Sequence, residues 1–312
     1  MTLLELKNKF LADLANLYPK EEILSFYTLL VDFKLGISKI DTALNPNQII
    51  SKNHLDYFFD ALTNLLTEKP IQYIIGETEF YGLPFYVNKH VLIPRPETEE
   101  LVEWVISDKR QETGAKRQKK VADNILDIGT GSGCIAISLA KNLPNISVYA
   151  VDISAKALQI AKQNAVLNKV NVHFIEGNIL NTNVIQTPSI RGKNLNQNTI
   201  ENLSNTSNLK FDIIVSNPPY VRQLEKQEIK DNVLKHEPHL ALFVENDNSL
   251  LFYDHIADFA KENLTKNGEL YFEINQYLGQ ETVSLLKEKG FTNIELKKDL
   301  YGNDRMIKAL FF

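Results

Sequence analysis

The spacing of hydrophobic residues changes along the chain and separates a helical part from a part with alternating strands and helices. Apolar side chains recur at helical intervals in three N-terminal segments, at residues 2–17, 21–35 and 52–68. This pattern predicts a small all-α N-terminal domain over residues 1–70. After Pro70, β-forming residues alternate with turn residues, so we predict a β-hairpin linker over residues 71–94.

The remainder of the chain, residues 95–312, is predicted to be one α/β domain. A helix begins at Pro96 and ends near Ile106. Strands and helices then alternate, which is typical of a doubly wound parallel sheet. Strands are predicted at residues 125–128, 148–151, 172–175, 211–215, 269–274, 291–296 and 305–312. The last two are expected to form an antiparallel hairpin at the edge of the sheet.

Two polar insertions interrupt this domain. Residues 108–121 are rich in Lys and Arg with almost nothing apolar, and since no aromatic residue lies between the charges, we predict a solvated loop rather than a nucleic-acid site. Residues 181–210 contain eight asparagines and no aromatic residue. This second stretch cannot bury enough apolar area to order itself, which predicts a mobile insertion.

Composition excludes several classes of protein. The 312 residues are 44% hydrophobic, enough for two globular cores, and the formal net charge of -5 argues against a protein that grips nucleic-acid phosphates. The single cysteine, Cys134, can form neither an internal disulfide nor a cysteine-based zinc cluster, and the histidines have no metal-ligand spacing. No apolar run approaches the roughly 18 residues of a membrane span. We therefore expect a cytoplasmic protein without a metal site or membrane contact.

A glycine-rich turn gives the first indication of a ligand site. It follows a predicted strand, precedes a predicted helix, and reads Asp127-Ile-Gly129-Thr130-Gly131-Ser132-Gly133. Glycines here allow a sharp turn and let a ligand approach main-chain N–H groups. The third glycine of a dinucleotide fingerprint would fall on Cys134, and a P-loop lysine is missing, so the turn is not built for pyrophosphate.

An acidic residue, Asp152, ends the next predicted strand, 19 residues after Gly133. A carboxylate in this place can accept both hydroxyls of an adenosine ribose. Adenosine without phosphates suits S-adenosylmethionine, the cofactor we predict. The glycines alone fit an ordinary strand-to-helix turn equally well, and Asp152 favours the cofactor.

A second motif, Asn217-Pro218-Pro219-Tyr220, follows the predicted strand at 211–215. Prolines donate no N–H and stiffen the chain, so the Asn217 oxygen and a backbone carbonyl can act as fixed acceptors. Tyr220 offers a flat face for a planar group. The motif thus describes a clamp for a planar amine, either a carboxamide or the exocyclic amine of a base, although Asn-Pro-Pro can also be merely a turn.

The two motifs together resemble the class I methyltransferases that act on planar nitrogens. The linker makes the match narrower, because it resembles that of the release factor glutamine methyltransferases, often called PrmC or HemK. The matching segments are Pro70–Gly76, Glu79–Leu83, Leu92–Glu99, His236–Pro238 with Ala241–Leu242, and Asp304–Arg305. The resemblance implies a Rossmann-like domain with a mixed seven-stranded sheet and a C-terminal antiparallel hairpin, after a helical domain that docks the substrate.

The resemblance also implies an activity and site residues. The enzyme would methylate the side-chain amide nitrogen (N5) of the glutamine in the Gly-Gly-Gln motif of bacterial peptide chain release factors, its partners, without direct nucleic-acid binding. Gly129–Gly133, Asp152, Asn178, Ile179 and Asn217 would contact the cofactor. Asn217, Pro218, Pro219 and Tyr220 would bind the glutamine, and Asn217, Pro218 and Tyr220 would be catalytic.

The chain departs from the family pattern at two places. Asn178-Ile179 stands where the family often has an acidic and then an aromatic residue, and Asn275 stands where a glycine is usual. The main alternative function is a nucleic-acid methyltransferase for adenine or guanine, since the same clamp fits an extruded base.

Overall fold

The structure, a computed structural model, describes residues 1–114, 123–181 and 209–312. Within these ranges the chain forms two compact units: Met1–Glu77 with Ile229–Glu237, and Thr78–Glu228 with Pro238–Phe312. The predicted insertions lie outside the described residues at 115–121 and 182–208. No described helix is long and apolar enough to cross a lipid bilayer.

The first unit is built mainly from five N-terminal helices. A capping box between Thr2 and Glu5 begins α1, because each side chain accepts the other's backbone N–H. Apolar side chains at helical spacing, among them Leu6, Phe10 and Phe58, form the core of the unit. The helices are α1 (Leu3–Leu14), α2 (Lys20–Leu35), α3 (Lys39–Leu44), α4 (Lys52–Leu66) and α5 (Ile71–Ile75).

The predicted β-hairpin is shorter than the stretch 71–94. Its strands are β1 (Glu77–Phe80) and β2 (Leu83–Tyr86). The prediction of β structure from Ile71 was wrong, because Ile71–Ile75 forms the short helix α5 and buries Ile71 and Tyr73. Gly76 in the left-handed conformation ends that helix and donates its N–H to the Gln72 carbonyl.

Helix α6 (Pro96–Gly114) is longer than predicted. The sequence placed its end near Ile106 and a solvated loop from residue 108, which is wrong for residues 108–114. Lys109 is only 4% exposed, and its ammonium pairs with Asp123 at 3.5 Å. Asp108 accepts hydrogen bonds from Tyr271 and Lys308. These contacts with residues distant in sequence stabilise the helix through a segment whose sequence is mostly polar.

The second unit contains a seven-stranded sheet in the order β10-β11-β9-β6-β3-β4-β5. The strands β3, β4, β5, β6 and β9 run parallel, and β11 is antiparallel to both β9 and β10. The elements that follow residue 123, of which α9 belongs to the first unit, are β3 (Asn124–Ile128), α7 (Cys134–Asn142), β4 (Ser147–Asp152), α8 (Ala155–Asn168), β5 (His173–Glu176), β6 (Phe211–Ser216), β7 (Val221–Arg222), α9 (Asp231–His236), β8 (Phe243–Val244), α10 (Leu251–Asn263), β9 (Leu264–Glu273), α11 (Gly279–Glu288), β10 (Thr292–Lys298) and β11 (Asp304–Phe311).

This architecture confirms the predicted Rossmann-like fold with a mixed seven-stranded sheet and a C-terminal antiparallel hairpin. All six residues of the central strand β6 are buried, as expected for a strand with apolar layers on both faces. The hairpin β1–β2 is attached to α8, where Asn164 bonds both the N–H and the carbonyl of Tyr86. Helix α9 packs instead with the helical unit, through an ion pair of 2.5 Å between Lys235 and Glu68.

Candidate functional site

Strands β3, β4 and β6 end at one edge of the sheet, where hydrogen bonds join their tips. The Ser216 hydroxyl donates to the Ile128 carbonyl at 2.6 Å. The N–H groups of Gly129 and Thr130 both donate to the Val151 carbonyl, at 2.8 and 3.0 Å. The carboxyl edge of a parallel sheet is where open α/β folds bind ligands. The three tips carry the predicted site residues except Asn178 and Ile179, which follow the neighbouring strand β5.

A cavity of about 380 Å³ opens at this edge. That volume falls within the range of small-molecule sites. Its walls include eight of the predicted site residues: Gly129, Gly131, Asp152, Asn178, Ile179, Asn217, Pro218 and Pro219. Four others, Thr130, Ser132, Gly133 and Tyr220, do not line it. The fold thus brings both sequence motifs to the same cavity.

The glycine-rich turn combines ligand access with helix packing. Gly129 and Gly131 line the cavity, and both have positive φ. Gly133 serves packing, because a Cβ atom there would lie 2.9 Å from the Ile137 Cδ1 atom and 3.1 Å from the Ala161 Cβ atom. The absent side chain therefore lets α7 and α8 approach each other.

Asp152 ends β4 and shapes the turn as well as the cavity. One of its oxygens accepts from the Gly131 N–H at 2.8 Å, and the other accepts from the Ser154 N–H at 2.8 Å. Burial raises the pKa of Asp152, while these two hydrogen bonds oppose the rise. A carboxylate oxygen has two acceptor sites, so each can take one further donor from a ligand.

Asp127 lies beneath the turn and is fully buried. Its Oδ2 atom accepts from the Thr130 hydroxyl at 2.6 Å and from the Ala136 N–H at 3.3 Å. Its Oδ1 atom has no hydrogen-bond partner among the described residues. Burial raises the pKa of Asp127 to about 7. Burial also raises the pKa of the Cys134 thiol, to about 12, which disfavours the thiolate at neutral pH.

Two hydrogen bonds in sequence link the Asn217 side chain to residues that do not line the cavity. Its Nδ2 atom donates to the Thr98 hydroxyl at 3.2 Å, and that hydroxyl donates to Glu273 Oε2 at 2.6 Å. The amide oxygen of Asn217 is thereby left as the acceptor end of the side chain. Burial raises the pKa of Glu273, and the hydrogen bonds from Thr98 and Tyr220 and the positive charge of Arg305 oppose that rise.

Tyr220 is directed into the protein. Its hydroxyl donates to Glu273 Oε1 at 3.0 Å, its ring packs against the main core, and its carbonyl accepts from Asn275 at 2.9 Å. Burial and the charge of Glu273 raise its pKa well above the usual value for tyrosine. Asn275 also donates to Glu225 at 2.9 Å. The amide of Asn275 therefore ties the end of the clamp motif to the segment that follows it.

Several site residues were absent from the sequence prediction. Thr98 lies in the matching segment Leu92–Glu99 but was given no role there, and Glu273 belongs to no motif. The contacts of Thr98 with Asn217 and of Glu273 with Tyr220 connect the two residues to the site. The apolar wall of the cavity is supplied partly by residues at the start of helices and in loops. These residues include Val91, Leu92, Ile153, Leu180, Leu240 and Phe252.

Comparisons with known proteins agree with this geometry. Residues 119–290 match the family model described as a methyltransferase domain, and residues 6–76 match the PrmC N-terminal domain. Among solved structures, the hMettl16 catalytic domain in complex with the MAT2A 3'UTR hairpin 1 superposes with a TM-score of 0.51. It is 14% identical and covers 95% of this chain and 93% of its own, which supports the methyltransferase fold.

Two curated relatives carry the same name. A release factor glutamine methyltransferase of Flavobacterium psychrophilum is 53% identical over 98% of this chain and 98% of its own. A release factor glutamine methyltransferase of Bacteroides thetaiotaomicron is 39% identical over 95% of each chain. The resemblance found in the sequence is thereby confirmed, and the chain belongs to the family of release factor glutamine methyltransferases.

Proposed function

We propose that this protein transfers a methyl group from S-adenosylmethionine to the side-chain amide nitrogen of the glutamine in the Gly-Gly-Gln motif of bacterial release factors. One observation carries the proposal: the clamp Asn217–Pro219 and the donor-site residues Gly129, Gly131 and Asp152 line one cavity. The 53% identical relative is named for the same reaction.

The residues of the cavity fit the donor. Asp152 offers carboxylate oxygens for ribose hydroxyls, and Gly129 and Gly131 let a ligand approach the main chain. Ile179, next to Asn178, offers apolar surface for the adenine ring. When bound, S-adenosylmethionine supplies a methyl group on a cationic sulfur, so that transfer forms an N–C bond on the substrate amide, leaves the S–C electron pair on sulfur and releases one amide proton.

The clamp compensates for the weak nucleophilicity of an amide nitrogen, whose lone pair is delocalised into the carbonyl. The Asn217 oxygen and the Pro218 carbonyl accept the two N–H groups, which fixes the rotation of the amide. As positive charge develops on the nitrogen, these acceptors bind it more tightly than in the ground state. No strong base is needed at the nitrogen, because its acidity rises as the bond forms.

The test is a transfer assay with radiolabelled S-adenosylmethionine and four acceptors: purified release factor, tRNA, rRNA and DNA. We expect label in the release factor alone, with mass spectrometry locating one methyl group on the glutamine. A release factor with that glutamine changed to glutamate should remain unlabelled. Label that enters only nucleic acid would establish the base-amine alternative and overturn the proposal.

The clamp is tested by Asn217→Ala, with the exposed Asn248→Ala as a matched control. The first variant should lose about 100-fold or more in kcat, as for removal of a preorganised charge-stabilising group, while it still binds the donor. The control should retain normal turnover. Near-normal turnover in Asn217→Ala would remove the clamp mechanism.

A further inference from the structure

One buried carboxylate holds both ends of the Asn217–Tyr220 motif. Glu273, which is 1% exposed, accepts from the Tyr220 hydroxyl through Oε1 at 3.0 Å. Through Oε2 it accepts from the Thr98 hydroxyl at 2.6 Å, and that hydroxyl accepts from Asn217 Nδ2 at 3.2 Å. The four side chains form a continuous chain of hydrogen bonds behind the cavity wall.

The sheet register accounts for this arrangement. Ser216 of β6 pairs with Phe272 of β9 in parallel, so the next residues, Asn217 and Glu273, lie side by side at the carboxyl edge. Thr98 comes from the first turn of α6 and is 2% exposed. Asn217 lines the cavity, whereas Thr98 and Glu273 do not. Thr98 therefore contacts Asn217 on the side away from the cavity, and Glu273 is linked to Asn217 through Thr98.

A hydroxyl has a single proton, and this decides which way the Asn217 amide faces. Both Thr98 and Asn217 could in principle donate to the other. The Thr98 hydroxyl donates its hydrogen bond to the Glu273 carboxylate at 2.6 Å. Toward Asn217 the Thr98 oxygen can therefore act only as an acceptor. Asn217 must then turn its NH₂ group to Thr98 and its oxygen away from it.

We propose that Thr98 and Glu273 are positioning residues that set the amide orientation of Asn217, so that its oxygen, rather than its NH₂ group, meets the substrate. This inference rests on the proposed function, in which the Asn217 oxygen accepts an N–H of the substrate amide. An Asn217 in the opposite orientation presents two donors to the substrate NH₂ group and cannot bind it.

The experiment compares three variants. Thr98→Val removes the hydroxyl at nearly constant volume, and Thr98→Ser retains it. Glu273→Gln introduces an NH₂ group that can donate to the Thr98 oxygen. The Thr98 hydroxyl is then free to donate its hydrogen bond to the Asn217 oxygen. The matched control is Thr282→Val, another buried threonine, which lies in α11 and donates its hydroxyl to the carbonyl of Leu278, the residue before that helix.

We expect Thr98→Val and Glu273→Gln to lose about 10- to 100-fold in kcat toward release factor. This is at or below the lower limit of about 100-fold for removing a preorganised group, because the Asn217 side chain itself remains. Binding of S-adenosylhomocysteine, measured by calorimetry, should stay within about twofold of wild type, because neither residue lines the cavity. Thr98→Ser and Thr282→Val should keep kcat within about threefold. A purely structural role predicts the contrary: parallel losses of stability in Thr98→Val and Thr282→Val, with kcat per folded molecule unchanged.

A second readout does not depend on turnover. In protein labelled with ¹⁵N-asparagine, the side-chain NH₂ resonances of Asn217, assigned by their loss in Asn217→Ala, should move in Thr98→Val and Glu273→Gln and stay in place in Thr98→Ser. Unmoved resonances in the first two variants would overturn the inference. A wild-type kcat in a folded Thr98→Val variant would also overturn the inference. If Thr98→Val does not fold, a wild-type kcat in Glu273→Gln would overturn it instead. A wild-type protein that methylates no release factor would contradict the proposed function, while the resonances still report the orientation.

Discussion

The Ser216 hydroxyl donates to the Ile128 carbonyl at 2.6 Å and so joins the ends of two neighbouring strands directly before the turns that line the cavity. Ser216 is fully buried, and Asn217 and Gly129 follow the two bonded residues. The hydrogen bond therefore fixes the distance between Asn217, where the clamp begins, and Gly129, where the glycine-rich turn begins.

Replacing Ser216 with alanine should lower the free energy of unfolding of the methyltransferase unit by about 1–2 kcal/mol, since a buried carbonyl loses its partner. Urea denaturation followed by fluorescence measures this, because the single tryptophan, Trp104, is buried in that unit. The control is Ser284→Ala on the exposed face of α11, where the loss should stay below about 0.5 kcal/mol. Equal effects of the two changes would contradict a special role for the Ser216 bond.

The third glycine of the turn should tolerate substitution much less than the second. At Gly133 an alanine Cβ would come within 2.9 Å of Ile137 and 3.1 Å of Ala161, and the residue has a φ of 83°. At Gly131, with a φ of 56°, a Cβ meets nothing within 4 Å. Gly131→Ala should therefore lower the free energy of unfolding by about 1–2 kcal/mol, because of the left-handed backbone alone. Gly133→Ala should lower it by about 1–3 kcal/mol more, because of overpacking. The same denaturation assay compares the stabilities of the two variants. A Gly131→Ala variant that is less stable than Gly133→Ala would contradict the prediction.

Asp152 should contribute to donor affinity. Replacing it with alanine removes the carboxylate from the cavity and frees the N–H groups of Gly131 and Ser154 that it holds. Loss of hydrogen bonds to a charged group is worth about 1.5–3 kcal/mol, which is about a 10- to 100-fold weaker Kd for S-adenosylhomocysteine by calorimetry. Glu176, an exposed carboxylate that ends the neighbouring strand β5, is the control, and its alanine variant should bind normally. Comparable losses in both variants would indicate a general effect of charge.

The parts of the site that the sequence predicts are those encoded by local motifs. Gly129 and Asn217 directly follow buried strands, Gly131 lies two residues after Gly129 in the same turn, and Asp152 ends its strand. The parallel order of the strands then brings the four residues to one edge. The role of Thr98 could not be found this way, because its segment Leu92–Glu99 indicates only the family and its partner Glu273 lies 175 positions away. The orientation of the Asn217 amide depends on this long-range pair.

The same distinction applies to the fold. Six strands of the sheet were predicted to within two residues at either end, whereas β9 begins at Leu264, five residues before its predicted start. Helix α6 was predicted too short, since Lys109 and Asp108 look solvated until their partners Asp123, Tyr271 and Lys308 are in place. Helix α10 has no predicted counterpart, although Tyr253, Ile256, Ala257 and Ala260 repeat at helical spacing on its buried face.

Lys308 neutralises two carboxylates beneath α6, and its removal should be costly. Its ammonium lies 2.7 Å from Asp108 and 2.8 Å from Glu269, and its side chain is 16% exposed. Lys308→Met leaves both acids without this cation next to Tyr271, which should destabilise the unit by about 3 kcal/mol. Lys298→Met is the control, because Lys298 pairs with Asp304 while 63% exposed and should lose less than about 1 kcal/mol. Denaturation curves that coincide for the two variants would show that the pair of acids does not require Lys308.

Asp127 should make the stability of the methyltransferase unit fall as the pH rises toward neutrality. Burial raises its pKa from 3.8 to about 7 in the folded chain. Between these values the folded state binds a proton that the unfolded state has released, so the free energy of unfolding decreases as the pH increases, by about 1.4 kcal/mol per unit of pKa difference at most. Below pH 4 both states are protonated, and this dependence disappears.

The variant Asp127→Asn carries no titratable group at this position, so its difference in stability from wild type isolates the effect. We expect this difference to shift in favour of the variant by about 2 kcal/mol or more between pH 5 and pH 8. Urea denaturation monitored through Trp104 at intervals across that range measures it, with the exposed Asp247→Asn as the control whose difference should stay flat. A flat difference for Asp127→Asn would mean that the carboxylate is solvated in the folded protein, despite the absence of a hydrogen-bond partner for Oδ1 among the described residues.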